Sequence, residues 1–154
     1  MYNPRPILII GLGNPLLGDE GIGVVLAQRL AEEFAAQADV ECLELGTGGM
    51  ALLHVLGGRQ KAVLLDCALM GQAPGTWRRF TLAEVRTRHT PPGFSLHEGD
   101  LLALLELAGK LETLPPEVVI IGIEPELLAP DLALSPLLHS RIEEYLAVVR
   151  EELQ

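Results

Sequence analysis

Basic residues are scarce in this chain. Eleven lysines and arginines stand against 21 aspartates and glutamates, giving a formal net charge of −10 over 154 residues. A nucleic-acid-binding surface must neutralise phosphates with clustered cations, so this balance argues against nucleic acid as a partner. The same balance disfavours an anionic membrane surface. Cysteine is nearly absent: Cys42 and Cys67 make no CxxC pair and no disulfide framework. Both read as small buried hydrophobes in a reducing, cytoplasmic setting. Serine occurs only at Ser95, Ser135 and Ser140, never within GxSxG, and neither cysteine has an obvious histidine partner. Nucleophilic catalysis is therefore poorly supported. No HExxH is present either, which excludes a helical zincin site.

Long apolar runs are also missing. The longest stretch without Asp, Glu, Lys or Arg is Leu45–Gly58, broken by several glycines and a histidine. A membrane span needs ~18 or more consecutive apolar residues, so none is expected. The first ten residues run into a glycine turn without a small-residue cleavage site, and a signal peptide is not expected.

What the chain does have is leucine. There are 31, within a hydrophobic content of 49% and a mean hydropathy of +0.32. Five segments read as strands: Ile7–Gly13, Val40–Leu45, Ala62–Asp66, Trp77–Leu82 and Val118–Ile123. ILII and VVIIGI are apolar without alternation, as strands covered on both faces are. Helix-period patterns fill the gaps over Gly21–Phe34, Met50–Leu56, Asp100–Leu111 and Pro136–Leu153. Alternating strands and helices predict right-handed crossovers in an α/β, three-layer αβα fold with a mostly parallel five-stranded sheet. One join departs from this rule. The link from Asp66 to Trp77 is short, carries Gly71, Pro74 and Gly75, and has no helical period. A parallel crossover needs a dozen residues or more, so the fourth strand is predicted to be an antiparallel edge. With no linker or repeat in view, residues 1–154 read as a single α/β domain.

The first strand delivers the segment Gly11-Leu12-Gly13-Asn14-Pro15-Leu16-Leu17-Gly18-Asp19-Glu20-Gly21-Ile22-Gly23. A dinucleotide fingerprint wants its third glycine three positions after the second, where Leu16 stands, and no Walker lysine follows. Asp19 and Glu20 precede a helix, where one acid serves as a cap or macrodipole partner. The other is then free to point over the strand ends. Asp66 ends the apolar run AVLLD and so stands at the carboxyl edge of a central strand, where open α/β sheets bind ligands. The bland alternative is a loop aspartate bonding nearby amides. Strand alternation turns Cys67 to the opposite face. His54 and His139 fall within helix patterns and His89 in an exposed-looking stretch. His97 lies on a loop just before a helix for which Asp100 is the candidate cap. Glu20, Asp66 and His97 come from three loops, and two carboxylates with an imidazole suit a borderline divalent ion such as Zn²⁺ or Ni²⁺. A second glycine loop, Gly46-Thr47-Gly48-Gly49, ends the second strand and would lie beside the first.

GLGNPLLGDEGIG, LELGTGGM, LLDCAL, SLHEGDLLALL and IGIEPELLAP resemble, in order and spacing, the maturation endopeptidases of [NiFe] hydrogenases. The resemblance runs from about Ile7 to the final helix. It implies a twisted five-stranded sheet between helices. It also implies an endopeptidase, of aspartic type, that removes the C-terminal extension of a hydrogenase large-subunit precursor after nickel insertion. The family's metal-binding trio falls on Glu20, Asp66 and His97, and Asp66 and Glu20 are the implied catalytic carboxylates. The nickel is implied to arrive in the precursor, with no organic cofactor. One departure stands out: many members have Asp-Gly-Gly-Thr where this chain has Glu44-Leu45-Gly46-Thr47. Two rival functions are a non-catalytic nickel-binding assembly factor using the same trio, and a nucleotide-using α/β enzyme built on the Gly11–Gly13 turn.

Overall fold

The computed structural model describes residues 3–47, 49–87 and 100–154. Five strands, β1 (Ile7–Leu12), β2 (Val40–Gly46), β3 (Lys61–Cys67), β4 (Trp77–Thr81) and β5 (Glu117–Ile123), form one sheet in the order β2-β1-β3-β5-β4. Every pairing is parallel except β4 with β5, so the short link after Asp66 does produce an antiparallel edge strand. The apolar runs form the interior strands because each is covered twice. Leu8, Ile10, Ala62, Leu64, Val118 and Ile120 face one core; Ile9, Val63, Leu65, Val119 and Ile121 face the other.

The first core is closed by α2 (Gly49–Val55) and α4 (Asp100–Lys110), through Leu52, Leu101, Leu105 and Ala108. The second is closed by α1 (Ile22–Glu33) and α6 (Ile142–Glu151), through Ile22, Leu26, Leu30, Tyr145, Leu146 and Val149. This is the expected three-layer arrangement.

Two local expectations need correction. The Pro136–Leu153 pattern is two helices, α5 (Pro136–Ser140) and α6, separated at Arg141 (φ −104°, ψ 5°). Leu138 and Ile142 nevertheless enter the same core, so the apolar period runs through the break unaltered. The fourth strand stops at Thr81, and a short helix, α3 (Leu82–Thr87), starts there. Thr81 Oγ1 accepts from the Glu84 amide at 3.3 Å, and the Glu84 carboxylate accepts from the Thr81 amide at 3.4 Å. That reciprocal Thr-x-x-Glu capping box ends the strand by starting a helix.

Candidate active site

Strands β1, β2 and β3 run parallel, so their carboxyl ends open on one edge of the sheet. The loops leaving β1 and β2 are joined there, with the Gly13 amide donating to the Gly46 carbonyl at 3.0 Å. The second glycine loop thus lies beside the first, as its sequence position implied. Between this edge and the α2–α4 layer is a cleft of about 590 Å³. Its walls are mostly apolar, including Leu12, Leu17, Met50, Leu52, Leu101, Leu104 and Leu107. Its polar lining comes from Asn14, Glu20, Thr47 and Asp66.

Asp66 and Glu20 reach this cleft for different reasons. Along β3, Ala62 and Leu64 face the α2–α4 core, and Asp66 continues the alternation onto that face at the strand's end. Cys67 turns to the opposite core, as expected. Burial, followed by the charges of Asp66 and Glu20, pushes the Cys67 thiol well above its ordinary value. A neutral thiol facing away from the cleft is no nucleophile for it.

Glu20 is delivered by a 3₁₀ turn, Gly18–Gly21, that leads into α1. That turn sits low over the sheet because glycines let backbone meet backbone. A Cβ on Gly23 would overlap the Leu65 carbonyl oxygen, so the first turn of α1 rests directly on β3. The glycines of the Gly11–Gly23 segment therefore dock a helix onto strands rather than cradle a phosphate. With two carboxylates buried at the helix entrance, the nucleotide-binding alternative has no anion site there. Asp66 is fully buried and Glu20 is 8% exposed. Two acids at the floor of an apolar cleft can hold a divalent ion or activate a water in a medium that strengthens both interactions.

Asp19 does something the sequence did not reveal. Its place before a helix suits a cap, but α1 has no side-chain cap. Its carboxylate instead accepts the amides of Glu126 and Leu127, both at 2.9 Å, and of Ser135 at 2.7 Å. It therefore fastens the segment after β5 against the turn that carries Glu20. Glu124 is a second buried acid beside the site. Its Oε1 accepts from the amides of Met70 at 2.8 Å and Gln72 at 2.9 Å, holding the segment that leaves Asp66. A signal for Glu124 existed, since it ends the apolar run VVIIGI just as Asp66 ends AVLL.

His97 lies outside the described residues. Among the described residues no group of three or more His, Cys, Asp or Glu gathers to hold a metal, and Glu20 and Asp66 are the members of the sequence-derived trio that meet in the cleft. Glu44, at the position where the resembled family often has Asp, is exposed and its Oε1 accepts from Gln28 at 2.6 Å. It does not line the cleft. Among the described residues no helix is long and apolar enough to cross a membrane.

The chain is similar to known proteins over nearly its whole length. The HycI family profile, described as hydrogenase maturation protease, matches residues 24–152. The hydrogenase 2 maturation protease of Escherichia coli strain K12 is 33% identical over 153 residues, covering 94% of this chain and 91% of that protein. The solved structure of the hydrogenase maturating endopeptidase HybD from E. coli aligns with a TM-score of 0.82 at 32% identity, covering 95% of this chain and 93% of that one. A hydrogenase 2 maturation peptidase from a Thaumarchaeota archaeon aligns with a TM-score of 0.72 at 29% identity, covering 96% and 97%.

Proposed function

Because the chain belongs to the hydrogenase maturation proteases and is an endopeptidase, we propose that it removes the C-terminal extension of a nickel-loaded [NiFe]-hydrogenase large-subunit precursor. The observation that carries this reading is the convergence of Glu20 and Asp66 on one apolar cleft at the carboxyl edge of the sheet. Nickel is part of the substrate and arrives within the precursor. Glu20, Asp66 and His97 grip it, which ties cleavage to metal insertion and sets the scissile peptide bond against the carboxylates. The donor set of two oxygens and one imidazole nitrogen suits that ion.

Hydrolysis then needs a water made nucleophilic and a proton returned to the leaving amine. A cleft carboxylate takes a proton from the water as its oxygen attacks the peptide carbonyl. The same carboxyl group gives that proton to the departing nitrogen as the C–N bond breaks. Holding substrate and water together in a dry cleft supplies much of the rate, as fixed geometry replaces a bimolecular encounter. The free thiols, Cys42 and Cys67, fit a cytoplasmic setting for this step.

Mass spectrometry of purified nickel-loaded precursor incubated with this protein alone tests the reading. The wild type shortens the precursor, whereas Glu20→Gln and Asp66→Asn leave it intact while melting near the wild-type temperature. An intact precursor with wild-type protein would favour the non-catalytic nickel-binding assembly factor. Full activity in both variants would remove Glu20 and Asp66 from the site.

A further inference from the structure

The segment after β5 carries three leucines that solvent reaches: Leu127 is 38% exposed, Leu128 48% and Leu132 82%. Leu16, on the loop after β1, is 59% exposed. The two loops are bound to each other backbone to backbone. The Gly18 amide donates to the Asp131 carbonyl at 2.9 Å, the Asp131 amide to the Leu16 carbonyl at 3.0 Å, and the Asp19 amide to the Leu127 carbonyl at 2.9 Å. The buried Asp19 carboxylate adds the amides of Glu126, Leu127 and Ser135. Gly18 permits the approach, since a Cβ there would stand 2.8 Å from the Leu127 carbonyl oxygen.

Leu16 and Leu127 stand in water on backbone that is already fastened, so binding through them orders side chains and not loops. Exposed apolar side chains on a fixed frame mark a contact surface. Glu126 and Asp131, both exposed, flank the leucines as the polar edge of such a surface. The surface adjoins the cleft through one loop, because Leu17 and Glu20, the chain neighbours of Leu16 and Asp19, both line the cleft, and Leu17 bridges to Asp131. A folded substrate whose chain end lies in the cleft has this surface as an immediate neighbour, one residue along the loop from Leu17.

We propose that Leu16, Leu127, Leu128 and Leu132 form a docking rim that binds an apolar patch on the folded body of the precursor. Asp19 holds that rim at a fixed position relative to Glu20. The inference rests on the peptidase reading above. The rim governs how tightly the precursor is held, and the cleft governs the bond-breaking step.

The test is a Leu128→Ser/Leu132→Ser double variant, at two exposed positions, assayed on nickel-loaded precursor. KM rises ~10-fold or more while kcat stays within about twofold, the size expected for truncating two interface anchors. Leu111→Ser, at a position 57% exposed that does not line the cleft, leaves both constants unchanged. An unchanged KM in the double variant overturns the proposal, as does an equal rise in Leu111→Ser. A wild-type dimer in sedimentation that the double variant abolishes also overturns it, by assigning the rim to a second copy of this chain. If wild-type protein leaves the precursor intact, the peptidase reading falls by itself, and calorimetric binding of the same precursor decides the rim separately. Binding about tenfold weaker in the double variant sustains it, and equal binding overturns it.

Discussion

Gly13 meets the backbone of Glu20 so closely that a Cβ on Gly13 would overlap the Glu20 carbonyl oxygen. The same Cβ would lie 3.5 Å from Oδ1 of Asp66, and Gly13 has φ +112°. One glycine thus stands between the backbone of Glu20 and the carboxylate of Asp66 and permits their approach. Gly13→Ala must strain the backbone and push the Glu20 turn away from Asp66. The expected loss is about 3 kcal/mol or more of unfolding free energy, together with most of the precursor-cleaving activity. Gly71 is the control: its φ is +71°, but nothing among the described residues lies within 4 Å of its would-be Cβ. Gly71→Ala costs only about 1 kcal/mol, the strain of the positive φ alone, and leaves cleavage unchanged. Urea unfolding and precursor digestion on both variants check the contrast.

Adjacent acids, Asp19 and Glu20, separate structure from chemistry. Removing the Asp19 carboxylate strands three amide donors, that of Ser135 buried and those of Glu126 and Leu127 partly so, and a buried stranded donor costs about 1–3 kcal/mol. Asp19→Ala therefore loses about 3 kcal/mol or more, whereas Glu20→Gln melts close to wild type. Activity has the opposite sensitivity. Just below its lowered melting temperature, Asp19→Ala retains measurable cleavage, while Glu20→Gln has none at any temperature. Equal stability losses in the two variants would contradict this division of labour.

The strand frame was legible because burial on both faces leaves an unalternated apolar run, and each of the five observed strands lies within one residue of its predicted span at either end. The antiparallel edge followed from the segment after Asp66, which is too short for a parallel crossover and has no helical period. Glu20 and Asp66 were legible as acids sitting at strand and turn ends, where side chains must emerge from the fold. Asp19 was not, because its partners lie more than 100 residues away in sequence. No local pattern distinguishes an acid that caps its own helix from one that fastens a distant loop. The break at Arg141 was invisible for a related reason: Leu138 and Ile142 keep one apolar face across it. The capping box at Thr81 and Glu84 was present in the sequence, but reading the strand through Leu82 hid it.

Acid should weaken the end of the sheet opposite the cleft. Glu152 is partly buried, which disfavours its charge, but hydrogen bonds from Arg79 and then Lys61 outweigh that cost and hold its carboxyl below the ordinary glutamate value. Lys61 Nζ stands 2.9 Å from Glu152 Oε2, and Arg79 pairs with the other carboxylate oxygen. For a carboxyl group lowered in the folded state, the stabilisation is present above the unfolded value and is lost as pH falls through the folded one. Wild type should therefore melt higher than Glu152→Gln at neutral pH. The gap should narrow below about pH 4.3, the ordinary glutamate value. Thermal melts of both proteins between neutral and acidic pH measure it. A gap that stays constant throughout would show that these ion pairs contribute nothing pH-dependent.

The carboxylate mechanism also predicts that the thiols are chemically silent. Burial and then the charge of Glu41 push the Cys42 thiol up to about 11, and burial with the Asp66 and Glu20 charges pushes Cys67 higher still. Only the thiolate reacts, so at pH 8 about one Cys42 in a thousand is competent, against roughly a quarter of an unperturbed cysteine. Iodoacetamide should modify Cys42 at least ~100-fold more slowly than a free cysteine and leave Cys67 untouched in the native protein. Precursor cleavage should be the same before and after treatment. Labelling sites come from mass spectrometry, and residual activity from the digestion assay. Rapid labelling of Cys67 with matching loss of cleavage would instead put a thiol in the cleft, and the assignment of hydrolysis to Glu20 and Asp66 would have to be withdrawn.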